Sequence, residues 1–339
     1  MARLEEVFRA KQAAEPGVVR VPVGRVLHLS PSNVDTLFVY PWVLSFLCGN
    51  ANVVRVSRER TPVVEAMLRA LDAVSLERPE LARGNRFVTY EHDADVTAAL
   101  SRWCSHRIIW GGDETVAALR PLELNPHASE RVFGSKFSYA VIDAAGYLAA
   151  DEAERTKLAG AFWNDLFWFD QMACSSPHVV FWVGEASGSE RAVDDFERRL
   201  ELEVERRGWA PDASASVGRL NFAFRLAATS DVRVHLEHRG FVGIRVRDAR
   251  AVDKQICGGG LIRHARLERL EDLGDFAGEA DQTVTHFGFD RDRLEALAAR
   301  VGARGVDRIV PVGEALSFGV VWDGFDLLDD LTRRVAVRT

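Results

Sequence analysis

An alternation over the first 120 residues constrains this chain most: short runs rich in β-branched residues and leucine, each followed by a stretch with helical spacing of its apolar positions. The run Val18–Leu29 (VVRVPVGRVLHL) breaks at Ser30-Pro31-Ser32-Asn33, as a buried strand entering a loop does, and a helix is expected to begin near Asp35. NVVRVS (52–57), NRFVTY (85–90) and HRIIW (106–110) read as further strands. TPVVEAMLRALDAV (61–74, with Pro62 in its first turn), DADVTAALSRW (93–103) and GDETVAALR (112–120) read as the helices between and after them. Strands and helices at this spacing predict βαβ units, a parallel sheet and right-handed crossovers, an α/β domain of nucleotide-binding type.

The stretch SERVFGSKFSYAVIDA (129–144) holds two short apolar runs around Gly134-Ser135-Lys136, and DEAERTKLAGAFWNDLFWFDQ (151–171) opens with acids and continues as an amphipathic helix. A domain change is expected near 145. PHVVFWVG (177–184) reads as a buried strand and SERAVDDFERRLELEVERRG (189–208) as a helix with a solvated charged face. VRVHLEH, GFVGIRVRD, GLIRHARLE and QTVTHFGF follow as strands and RDRLEALAARVG (291–302) as a helix, so a second α/β layer is predicted. A length of 339 residues fits two domains at about 150 residues each.

Charge and cysteine usage remove several function classes. With 43 basic against 50 acidic residues the net charge is −7, which leaves no footprint for a nucleic-acid partner. Cys48, Cys104, Cys174 and Cys257 are widely separated and form no CxxC, which indicates neither a metal site nor a disulfide scaffold; reduced thiols in a cytoplasm fit best. The N-terminus lacks the apolar segment of a signal peptide, and Leu37–Cys48 is too short, and broken by Pro41, to span a bilayer.

Four segments carry candidate chemistry. Cys174, in Asp170-Gln171-Met172-Ala173-Cys174-Ser175-Ser176-Pro177, follows a long helix and precedes a buried strand, a junction that presents a nucleophile at a cleft; a buried small apolar residue is the alternative. Asn33 sits where the first strand opens, placed either to donate to an oxyanion or to make a turn. Trp110-Gly111-Gly112 ends a strand and starts a helix, a site for a cofactor phosphate or a plain βα turn. Lys136, one of only four lysines, lies in Phe133-Gly134-Ser135-Lys136; it assists electrostatically or caps a turn, and His178 reads as an ordinary strand histidine.

Taken in order, PVGRVLHLSPSNV, LCGNANVVRVSRERTP, IIWGGDETVAALR, VFGSKFSYAVID, FDQMACSSPHVVFWV and RIVPVGEALSFGVVWDGFDLL resemble the aldehyde dehydrogenase superfamily. Within it they resemble the LuxC-type acyl-CoA reductases that make fatty aldehyde for bacterial luminescence. The resemblance runs from about residue 18 to the end and implies an aldehyde-dehydrogenase-like α/β fold, with a Rossmann-type cofactor domain plus a second α/β catalytic domain. It divides the chain into a dinucleotide-binding domain (1–145), a catalytic domain (146–315) and a C-terminal segment (316–339) that oligomerises or bridges domains. Cys174 matches the acyl-accepting nucleophile, Asn33 the oxyanion-hole side chain, and Gly111-Gly112 the turn facing the dinucleotide phosphates. Trp322-Asp323-Gly324 is a family landmark without an evident chemical role.

Where oxidising relatives carry a glutamate base two residues before Gly-Gly-Lys, this chain has Val132, which disfavours hydrolysis of an acyl-enzyme and favours reduction or thiol exchange. The resemblance thus implies NAD(P)H-dependent reduction of an acyl-CoA or acyl-carrier thioester to an aldehyde through an acyl-cysteine, with an acyl-protein synthetase or carrier protein as partner and a homo-oligomer as assembly. Arg55, Ser57 and Arg58, with Arg60, end or follow the second strand, where the adenosine ribose is read; arginines there suit NADPH, whereas Glu59 reading a free 2′-hydroxyl suits NADH. Only about 17 residues precede the PVGRV strand, shorter than the family's usual N-terminal section, so cofactor affinity and assembly stand open. An acyl-transfer protein that has lost its dinucleotide, or a noncatalytic subunit of an acyl-activating partner, are the competing functions.

Overall fold

The computed structural model describes residues 2–338 apart from positions 14, 16, 32, 33, 35, 59, 92 and 237. Two compact units emerge, Met1–Ser135 together with Phe318–Thr339, and Lys136–Ser317.

In the first unit, the apolar run Val18–Leu29 is two strands rather than one: β1 (Val18–Pro22) and β2 (Arg25–Leu29). Gly24 makes the break at φ +118, held by a hydrogen bond from its N–H to Asn50 Oδ1 at 2.8 Å, two residues after Pro22, which has no N–H to continue a ladder. β1 pairs antiparallel with the C-terminal strand Thr332–Ala336. β2 instead enters a five-stranded parallel sheet with β3 (Ala51–Arg55), β4 (Asn85–Val88), β5 (His106–Trp110) and β6 (Ser129–Phe133), in the order β4-β3-β2-β5-β6. The helix expected near Asp35 runs Val39–Leu47, and Asp35 itself lies outside the described residues. Successive strands build outward from β2 on one side and then resume with β5 on the other, so β2 and β5 flank the point where strand order reverses.

Two features fasten the C-terminal residues into this unit. Arg131 on β6 donates to both carboxylate oxygens of Asp330, at 2.6 and 2.8 Å. Trp322-Asp323-Gly324 forms the tight turn of a hairpin between Val321–Trp322 and Phe325–Asp326, with Asp323 and Gly324 both left-handed at φ 48 and 73. Trp322 is buried and stacks on Phe318, and Tyr40 meets both rings, at 6.0 and 4.6 Å, which accounts for this landmark by packing.

The second unit is a seven-stranded sheet of β7 (Phe137–Asp143), β8 (Pro177–Val183), β9 (Val232–His235), β10 (Val242–Val246), β11 (Leu261–Leu267), β12 (Asp281–Phe287) and β13 (Arg308–Pro311). Its order is β13-β12-β7-β8-β11-β10-β9, parallel throughout except for β9. Every residue of β8 is buried, which explains its unbroken apolar run, since a central parallel strand is covered on both faces. Val179, Phe181 and Val183 pack toward helices Ala213–Thr229 and Arg291–Val301, while Val180 and Trp182 pack toward helices Glu152–Phe167 and Ala186–Arg207. Asp151, Asp212 and Asp290 cap three of these helices through backbone N–H groups. Among the described residues no helix is long and apolar enough to cross a membrane.

The ring of Phe181 meets Tyr139 and Phe276 edge-on at 5.6 and 4.9 Å. Replacing it with alanine should therefore cost about 3–5 kcal/mol, read as a lower urea midpoint for the transition that unfolds this sheet.

Candidate active site

Cys174 lies in the loop between helix Glu152–Phe167 and β8, at the amino ends of the parallel strands, and its side chain is half-buried. The Gln282 side-chain nitrogen approaches its sulfur at 3.3 Å. The Ser138 hydroxyl donates to the Cys174 carbonyl at 2.7 Å and accepts the Thr283 N–H at 3.1 Å, so the ends of β7 and β12 both hold this residue. Burial pushes the thiols of Cys48 and Cys104 up to about 12 and about 11, and raises that of Cys257, which marks those three as protonated packing groups.

The loop's shape depends on Gln171. Asp170 and Gln171 both adopt left-handed backbone, at φ 50 and 63, which is costly for residues with side chains. The fully buried Gln171 side chain offsets that cost with four hydrogen bonds: Nε2 donates to the carbonyls of Pro177 and Leu261 at 3.0 and 2.8 Å, and Oε1 accepts the N–H groups of Gly260 and Leu261 at 3.2 and 3.0 Å. Facing it, Gly258, Gly259 and Gly260 are all left-handed, and a Cβ on Gly258 would fall 3.2 Å from the Asp170 carbonyl oxygen as well as against Met172. Close approach of the two backbones thus requires glycine there.

Asp165 anchors the same loop from below, its carbonyl accepting the Ser176 hydroxyl and its carboxylate the N–H groups of Gly313 and Ala315 at 2.6 and 2.9 Å. Burial nevertheless pushes this carboxyl up to about 7. His178 is buried on β8 and stacked on Phe137; desolvation, reinforced by Arg263, pushes it down to about 3, so it is a neutral core histidine. Lys136 reaches Asp307 and the Asp281 carbonyl, each at 3.4 Å.

In the first unit a cleft of about 700 Å³ opens at the carboxyl ends of β2, β3 and β5, at the strand-order reversal. Arg55, Ser57, Arg58, Gly111 and Gly112 all line it, so the sequence candidates from two distant segments share one wall. Asn33 and Glu59 lie outside the described residues. Arg55 sits over the Tyr90 ring at 5.0 Å, and Arg58 pairs with Glu91. Ser30 Oγ, Arg55 Nε and Trp110 Nε1, three polar atoms of cleft residues, are buried without a partner among the described residues, as expected where a polar ligand completes the wall. The Gly111 N–H is taken by the Phe133 carbonyl and the Asp113 N–H by Ser135 Oγ, so attraction for an anion comes here from the arginines more than from this turn. A Cβ on Gly111 would stand 3.1 Å from the Thr115 side chain, a tight contact that favours glycine there.

Sequence reasoning missed Tyr90, Glu91 and Thr115 in the cleft, and Gln171, Ser138 and Gln282 around the cysteine. A glutamine three residues before Cys174 and another opening the apolar strand QTVTHF were the available signals. Val132 is half-buried on β6 and packs on the core formed by Leu27, Leu29 and Ile109.

The profile of the family described as acyl-CoA reductase (LuxC) matches residues 8–222, which include both the cleft and the Cys174 loop. The chain belongs to that family. A long-chain acyl-protein thioester reductase of Aliivibrio fischeri is 26% identical over 167 residues, covering 48% of this chain and 33% of that relative, so the match spans about a third of the relative's length. Among solved structures, an aldehyde dehydrogenase of Brucella melitensis biovar abortus 2308 superposes with a TM-score of 0.68 at 13% identity, over 96% of this chain and 72% of that one. A P. syringae indole-3-acetaldehyde dehydrogenase in complex with NAD+ gives 0.67 at 14% identity, over 95% and 70%. The fold is that of the aldehyde dehydrogenases.

Two outcomes follow for this LuxC-family loop. Gln171→Leu leaves two carbonyls and two N–H groups without their partner, and should lower stability by at least about 3 kcal/mol while making residues 168–177 the first site of limited proteolysis. The folded Asp165 carboxyl titrates above its ordinary value, so its contribution to stability is complete at acid pH and is lost as pH rises through about 7. Asp165→Asn should flatten that fall in melting temperature between about pH 4 and about pH 7.

Proposed function

We propose that this protein reduces an acyl thioester, carried on CoA or on a protein, to an aldehyde at the expense of NADPH, through an acyl-cysteine formed on Cys174. The observation that carries this reading is the half-buried Cys174 sulfur held at a strand end with an amide nitrogen 3.3 Å away, in a chain of the LuxC family.

The Cys174 thiolate attacks the thioester carbonyl, and the oxyanion is assigned to the Asn33 amide and the Cys174 backbone N–H. Collapse breaks the carbon–sulfur bond to the carrier, expels its thiolate and leaves acyl-Cys174. Arg55, Ser57 and Arg58, with the Gly111-Gly112 turn, would hold the dinucleotide, whose reduced nicotinamide would supply the two electrons and the hydrogen that bring the acyl carbon to the aldehyde level. The same donors then hold a second oxyanion whose collapse returns the Cys174 thiolate, and loss of one of them costs about 10²–10³ in rate. Val132 offers no carboxylate to activate water, which protects the acyl-enzyme from hydrolysis. Preference for NADPH rests on Arg55 and Arg58 beside the cleft; Glu91, paired with Arg58, tempers it.

The test is thioester-dependent oxidation of NADPH and NADH across an acyl-CoA series and an acyl-carrier protein, with aldehyde detection. Activity should vanish in Cys174→Ala, and the wild type without nucleotide should carry an acyl adduct on Cys174 by mass spectrometry. Arg58→Ala should raise KM for NADPH about tenfold and leave that for NADH nearly unchanged. An adduct without nicotinamide binding by calorimetry would make this an acyl-transfer protein instead, and absence of both adduct and oxidation would overturn the reading.

A further inference from the structure

We infer that Gln282 is a catalytic residue at Cys174, its side-chain amide donating to the sulfur and holding it in the ionised, nucleophilic form. The inference rests on the reading of Cys174 as the nucleophile and adds a residue that lies beyond the family-matched stretch 8–222.

The amide nitrogen of glutamine carries two N–H groups and no acceptor, so at 3.3 Å from Cys174 Sγ it can only donate. A thiolate accepts such a bond far better than a neutral thiol does, because the acceptor is charged. The orientation of the amide follows from its other end. Thr283 Oγ1 accepts from Arg308 at 3.5 Å, which turns its own proton toward Gln282 Oε1 at 3.3 Å and leaves Nε2 for the sulfur. Gln282 is fully buried, so water competes little for the donor.

The backbone is built to aim this side chain. Pairing between β12 and β7 shifts register between Asp281 and Val284, a bulge that inserts one extra residue on β12 at Gln282-Thr283. The Thr283 N–H goes to Ser138 Oγ, whose hydroxyl in turn holds the Cys174 carbonyl. One irregularity thus directs Gln282 at the sulfur and ties the same strand end to the backbone of the cysteine. Ionisable side chains at these strand ends are engaged elsewhere, Lys136 with Asp307 and Asp281 with Lys254 at 2.8 Å.

The experiment follows alkylation of Cys174 by iodoacetamide against pH in the full chain, quantified on the Cys174 peptide, for wild type, Gln282→Leu and Gln282→Glu. Loss of the donor should move the midpoint up by about one pH unit, slowing alkylation about tenfold near neutrality while the rates converge at alkaline pH. Gln282→Glu, which keeps the size and sets a carboxylate against the sulfur, should shift it further, and decides the matter if Gln282→Leu does not fold. Profiles that superimpose on wild type, or a rate lowered equally at every pH, would overturn the inference. Thioester reduction at neutral pH, measured alongside, should fall by a similar factor. A shifted profile in a protein with no thioester chemistry would sink the proposed function and leave the hydrogen bond standing; thioester reduction with an unshifted profile would sink the role of Gln282 alone.

Discussion

Parallel strand pairing is the constraint from which the rest of this molecule follows. A parallel neighbour cannot be reached by a tight turn, so each crossover carries the chain over a face and leaves its functional loops at the sheet edges. In the first unit the reversal of strand order beside β2 spreads the loops at the carboxyl edge, and the 700 Å³ cleft forms there. In the second unit the Cys174 loop stands at the amino edge of its own sheet, where Cys174 precedes β8 and Ser138 and Gln282 come from the starts of β7 and β12.

A loop in that position has no ladder of its own to hold it, and the protein substitutes side chains for one. Gln171 does by hydrogen bonding what a neighbouring strand would do, reaching β8 and β11 at once. The cost is two residues of left-handed backbone and three glycines opposite them that admit no Cβ without collision or strain. The register shifts on both flanks of β7, at Ser138/Ala140 toward β8 and at Asp281/Val284 toward β12, fall beside the cysteine; such irregularities turn side chains that regular pleating would send elsewhere.

Several elements were legible locally. HRIIW is β5 residue for residue, and β8 matches its apolar run, because a strand covered on both faces writes its burial directly into composition. The run Val18–Leu29 misled, since Pro22 and Gly24 break it without breaking its hydropathy. Helix Ala213–Thr229 escaped notice because its stripe is blurred by exposed Val217 and Phe224. The clustering of Arg55, Ser57 and Arg58 with Gly111 and Gly112 was legible once the strand ends were recognised, whereas Tyr90 and Glu91 follow a strand whose neighbours only the sheet order reveals.

The sequence by itself determined the α/β architecture, the cysteine at a helix-to-strand junction and, through ordered motifs, the family. Tertiary structure alone decided that the compact units divide between Ser135 and Lys136, that the chain's last residues return to the first unit, and that Gln282, 108 positions from Cys174, faces its sulfur. The reason is physical: burial periodicity is recorded residue by residue along the chain, but which strand lies beside which, and in what register, is settled by packing between segments that share no local signal.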